Sequence, residues 1–122
     1  MQRLRLTVDV QMGDGLHIYG NPTPDGYVPL SVEVAPVDGL VAGALEGPPP
    51  HPFTVDGLDE EFYVYDDGVT VTMPLTFHKA AGDLVLDVTI RYQACSATEC
   101  KMPATVRFQL PVSVLNHVER PG

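Results

Sequence analysis

Apolar and polar residues alternate with a period of two along most of this chain, the pattern of strands with one buried and one wet face. Leu4, Leu6, Val8, Val10 and Met12 share one face, opposite Arg3, Arg5, Thr7, Asp9 and Gln11. Val28 to Val34 repeats the pattern, as do Val69 to Phe77, Leu84 to Tyr92, and Val106 to Val114. Shorter strands are predicted at Leu16 to Tyr19 and Phe62 to Tyr65. Turn chemistry separates them: Gly13-Asp14-Gly15, Asn21 to Gly26, Asp66-Asp67-Gly68 and Ala81-Gly82-Asp83. No segment has helical periodicity, and 12 prolines argue against one. About seven strands at short spacing predict an all-β, immunoglobulin-like antiparallel sandwich. Pro74 and Pro111 fall inside strands, which predicts edge positions or bulges there. The stretch Gly47 to Pro52 reads as rigid and irregular, leading into an acidic loop at 56–61.

A length of 122 residues fits a single domain covering 1–122, with 44% hydrophobic residues to build its core. No apolar run approaches the ~20 residues that span a bilayer. The strand pattern begins at once, without an apolar leader, so the expectation is a domain excised from a longer protein whose targeting segment lies elsewhere. Seven basic against sixteen acidic residues give a formal charge of −9. Such a surface repels phosphate backbones and anionic headgroups, so neither nucleic acid nor direct membrane binding is expected.

Charge narrows the partners; the chemistry rests on two cysteines. Cys95 and Cys100 fall between the fourth and fifth long strands, on an expected exposed loop of roughly ten residues. Four intervening residues on a turn bring two Cα atoms within the ~4.4–6.8 Å that a disulfide needs. A ring this small contributes only about 2 kcal/mol in the chain-entropy account, near the bottom of the range. Joining distant strands would stabilise a sandwich more, so a local bridge suits opening and closing. A purely structural local disulfide and a pair of unpaired or metal-bound cysteines remain open. Lys101 favours the thiolate of its neighbour Cys100, and Glu99 opposes it.

His17, His51, His78 and His117 show no ligand spacing and read as structural or solvated. A copper site from Cys95, Cys100, Met102 and a histidine is a weaker alternative, since these are soft ligands. No G-x-S-x-G, phosphate-binding glycine loop or H-E-x-x-H occurs. Most aromatic residues read as core; Phe53, Phe62 and Tyr63 are the ones placed to cover a redox loop.

Three stretches together resemble a known family. Tyr92-Gln93-Ala94-Cys95, four residues, Cys100, two residues and Pro103 is similar to the active-site loop of the N-terminal periplasmic domain of DsbD, the disulfide bond corrector family. Gly15 to Pro22 resembles the family's G-x-H-I-Y-x-N-P segment, and Tyr63-Val64-Tyr65 with the turn and strand after it resembles a third. The likeness spans about residues 4–114. It implies an immunoglobulin-like fold and thiol:disulfide oxidoreductase chemistry without a cofactor. Cys100 would form mixed disulfides and Cys95 would resolve them. A thioredoxin-fold protein or domain would donate electrons to this module, and oxidised extracytoplasmic proteins would accept them, in the periplasm or on the outer membrane face. Tyr92, Lys101 and Pro103 would support the loop. Asp59, Glu60, Glu61, Phe62 and Tyr63 would form a shielding cap, with His51 approaching from the proline-rich segment. The family commonly places five residues between its cysteines; this chain has four.

The alternative from another class is an immunoglobulin-like binding domain whose local disulfide is only structural. Reduction potential separates the two: a structural bridge lies below about −300 mV, an exchanging one above it.

Overall fold

The structure, a computed structural model, describes residues 2–13, 15–54, 61–78, 82–96 and 99–114. Ten strands run through these residues, and no helix: β1 (Gln2–Gln11), β2 (His17–Tyr19), β3 (Ser31–Val34), β4 (Leu40–Ala42), β5 (His51–Phe53), β6 (Phe62–Asp66), β7 (Gly68–Phe77), β8 (Gly82–Tyr92), β9 (Ala94–Cys95) and β10 (Ala104–Val114). They form three antiparallel sheets, ordered β1-β7-β4, β10-β8-β3 and β5-β6-β2-β9.

The alternating faces meet as the sequence predicts. In the first sheet Leu4 opposes Leu75, Leu6 opposes Met73 and Val8 opposes Val71, so each cross-strand pair presents two apolar side chains to one side. In the second, Leu86, Val88 and Ile90 of β8 do the same against β10 and β3. These two faces close on a core of Val32, Val69, Val71, Met73, Leu75, Leu86, Val88 and Ile90, joined by Ile18 and Leu30. Phe108 and Leu110, on the alternating apolar face of β10, remain 52% and 41% exposed, because β10 is an outer strand that β8 covers from one side.

Two prolines behave differently. Pro111 lies on the outer strand β10, as expected of a residue without an N–H. Pro74 does not: β7 is the middle strand of its sheet, and it is the other expectation, a bulge, that accommodates this proline. The reason is local. Pro74 accepts from the Gly43 N–H at 2.8 Å, which places its missing donor on the β4 side. On that side β4 ends at Ala42, opposite Leu75, and pairing resumes only where Glu46 meets Thr72. Gly43 lets the chain run against the proline ring: a Cβ there would stand 2.7 Å from Pro74 Cγ and 3.3 Å from its carbonyl oxygen. Gly43→Ala is therefore expected to destabilise. Overpacking against a rigid ring costs about 1–3 kcal/mol, which outweighs the ~0.4–1 kcal/mol gained from a stiffer unfolded chain. A lower urea midpoint with an unchanged slope checks this.

The third sheet positions the candidate site. β2 is the wall between two clusters. Ile18 points into the main core, while Tyr19 on the opposite face joins Phe62, Val64 and Cys95 in a second, smaller cluster. β6 alternates likewise, sending Phe62 and Val64 to the second cluster and Tyr65 toward the first. A tight turn with Asp67 at φ 63° then carries the chain from β6 into β7, which is the expected use of Asp66-Asp67-Gly68.

Candidate functional site

Cys95 is not on a loop. It belongs to β9, which adds to the outer side of β2 with His17 opposite Cys95 and Ile18 opposite Ala94. Beyond it the chain turns back, and Cys100 faces Cys95 directly. Ser96 N–H donates to Glu99 O at 2.8 Å and Lys101 N–H to Ala94 O at 2.9 Å. These bonds flank the cysteines and do not join them. Cys95 and Cys100 thus form a non-hydrogen-bonded pair, the position where antiparallel strands approach most closely. Their Cα atoms are 4.1 Å apart and a disulfide links them. Four intervening residues are what this register needs.

The two sulfurs live in different surroundings. Cys95 is 1% exposed, which corrects the expectation of an exposed pair, while Cys100 is exposed. Around Cys95 stand Tyr19 and Phe62, stacked with ring centres 5.2 Å apart, and Tyr27, edge-on to both at 5.4 and 5.0 Å. Phe53 packs against the same group. The Tyr19 hydroxyl lies 2.9 Å from Cys95 Sγ and 3.0 Å from Cys100 Sγ. Disulfide sulfurs carry no hydrogen, so the phenol is the donor and is within reach of either sulfur.

The other residues singled out in the sequence separate into groups. Phe62 is fully buried beside Cys95, so it shields the inner sulfur from within the sheet face. Tyr63 and Glu61 turn the other way: Tyr63 donates to Glu61 at 3.1 Å. That bond, then the carboxylate's charge, then burial, raises the phenol above its usual pKa. Asp59 and Glu60 lie outside the described residues. His51 is on β5, with β6 and β2 between it and β9, a separation of about 14 Å at ordinary strand spacing. Its Nε2 meets one Asp66 carboxylate oxygen at 2.5 Å, and His17 Nδ1 meets the other. Asp66 so ties β5, β6 and β2 together at the base of the cysteine face.

Tyr92 is half-buried against the main core, and Lys101 and Pro103 are exposed on the returning limb. Lys101 contributes to the hairpin through its backbone. Met102 is 86% exposed, and among the described residues no three His, Cys, Asp or Glu side chains converge as a metal site. Tyr19 and Tyr27 were missed in the sequence, where both read as core. Tyr19 is core; what no local pattern showed is that its hydroxyl ends at the sulfurs.

The chain is similar in structure to the Neisseria meningitidis DsbD N-terminal domain in its reduced form, with a TM-score of 0.60 and 19% identity over 88% of this chain and 80% of that one. That likeness supports the immunoglobulin-like sandwich. No curated protein matches the chain. The profile of the family "Thiol:disulfide interchange protein DsbD, N-terminal" matches residues 1–112. With nine-tenths of its length covered, the chain belongs to the family of DsbD N-terminal domains.

Proposed function

We propose that this domain is a two-electron carrier that takes reducing equivalents from a thioredoxin-fold donor and hands them to oxidised extracytoplasmic proteins through Cys95 and Cys100. One observation carries the reading. An exposed sulfur is bonded to a buried one, with a buried phenol donor within hydrogen-bond distance of both. An incoming thiolate has Cys100 as its open target. Its attack forms a donor–Cys100 bond, breaks the Cys95–Cys100 bond, and leaves the charge on Cys95. The Tyr19 O–H is placed to donate to that leaving thiolate. The donor's second thiolate then attacks its own sulfur in the mixed disulfide and releases Cys100. The donor ends as a disulfide, and this domain, after taking up two protons, as a dithiol. The reverse sequence with an oxidised acceptor restores the starting bond. No cofactor enters the scheme, and the periplasmic setting follows the family.

Reduction of the wild-type disulfide by a reduced thioredoxin-fold protein tests the proposal. The rate is expected to exceed that for oxidised glutathione with the same reductant, and the potential to be less negative than about −300 mV. Equal rates and a potential below that value would favour the structural-disulfide alternative instead.

Tyr19→Phe probes the phenol. A hydrogen bond to a charged group contributes ~1.5–3 kcal/mol, so exchange is expected to slow about ten- to a hundredfold. An unchanged rate in a folded Tyr19→Phe protein would remove the hydroxyl from the mechanism.

A further inference from the structure

We propose that Gln93 is a positioning residue that holds the Cys100 limb ready to re-form the disulfide, an inference that rests on the exchange reading above. Apart from the Tyr19 phenol and the Cys95 sulfur, Gln93 is the buried polar side chain among the described residues, at 7% exposed. Both ends of its amide are used. Oε1 accepts from the Val28 N–H at 3.0 Å, and Nε2 donates to the Lys101 carbonyl at 3.1 Å. Lys101 follows Cys100 directly, and its own N–H is bound to Ala94 O. The residue after the exposed sulfur is therefore gripped at both its backbone groups, once by β9 and once by this side chain. At its other end Gln93 fixes Val28, the neighbour of Tyr27, whose ring lies edge-on to Tyr19. One amide thus braces the limb carrying Cys100 against the aromatic wall whose hydroxyl reaches both sulfurs.

The two redox states use this brace differently. While the disulfide is closed, a covalent bond also fixes the limb. Once it opens, the limb is held by the backbone bonds of the hairpin, the Ser96–Glu99 side-chain contact, and Gln93. Coupling is reciprocal: if closing the disulfide helps bring Lys101 O to Gln93, the hydrogen bond helps the disulfide close by the same factor. A residue that merely satisfied two buried backbone groups would stabilise the oxidised and reduced proteins equally.

Equilibration of the domain with glutathione and oxidised glutathione separates these roles, and needs no protein partner. It therefore reads Gln93 even if the thioredoxin-fold donor proves wrong. Gln93→Met removes both bonds at similar volume. Gln93→Glu keeps an acceptor for Val28 N–H, but as a carboxylate cannot donate to Lys101 O. Each is expected to shift the equilibrium toward the dithiol by about three- to tenfold, the worth of one ordinary hydrogen bond. Equal loss of Tm in both redox forms, with the glutathione equilibrium within twofold of wild type, overturns the proposal. Should neither variant fold, hydrogen exchange of the Gln93 side-chain amide in the oxidised and reduced wild-type proteins decides. Slower exchange in the oxidised form supports the coupling, and equal exchange in both forms overturns it.

Discussion

Cys100→Ser is expected to abolish disulfide exchange and to leave a thiol that reagents hardly reach, whereas Cys95→Ser should leave a thiol that captures partners and keeps them. The asymmetry follows from burial. With Cys100 gone, the remaining sulfur is the one at 1% exposure, behind Tyr19 and Phe62. A thiol-reactive dye then depends on local opening, and an opening that costs ~3 kcal/mol slows labelling about a hundredfold. With Cys95 gone, Cys100 still sits on the outer limb, but no second sulfur opposes it to expel a bound thiol. A mixed disulfide with glutathione or a thioredoxin-fold protein should accumulate and survive until an external reductant is added. Mass spectrometry and dye kinetics on the two variants check both halves. Similar labelling rates would mean that the inner sulfur is not shielded, and the assigned direction of attack would fall with it.

Phe62→Ala should carry the largest stability cost of any single change near the site. The ring is fully buried, stacks on Tyr19 and meets Tyr27 edge-on. Removing such a ring costs about 3–5 kcal/mol in transfer and cavity terms. For a domain of this size that is a fall in Tm of roughly 10–20 °C. The same change removes part of the cover over Cys95, so the reduced variant should also react faster with alkylating reagents at that sulfur. Tyr63→Ala provides the contrast. Tyr63 is adjacent in sequence but on the other face of β6, bonded to Glu61, and its loss should change stability and Cys95 reactivity little. If Tyr63→Ala exposed Cys95 as much as Phe62→Ala, the face assignment of β6 would be wrong.

The long strands were legible because alternation over nine or more residues is hard to imitate: β1, β7, β8 and β10 lie where the pattern put them. β4, β5 and β9 are two or three residues long, too short to show a period, and β5 also contains Pro52. Missing β9 had a chemical consequence. Assigned to a loop, Cys95 looked as open as Cys100; paired with β2, it faces a closed aromatic cluster. The cysteine motif itself was readable, and so was the family. The contacts of Tyr19 and Gln93 were not, since each reaches groups that only the folded sheets bring near: 76 residues separate Tyr19 from Cys95, and 65 separate Val28 from Gln93. Which of edge or bulge applied to Pro74 was hidden for a similar reason. Whether a strand tolerates proline depends on where its neighbour breaks off, and that is set by Gly43 and Glu46, about 30 residues earlier.

The split environment of the two sulfurs also bears on peroxide, which attacks thiolates it can touch and carries them toward acids that thiols no longer rescue. In the dithiol form, Cys100 is the sulfur that peroxide meets first. A sulfenic acid made there would face Cys95 across the hairpin, and condensation of the two expels water and yields the same disulfide that the structure contains. A first oxidative hit would then be converted into an ordinary oxidised carrier before a second could make the damage permanent.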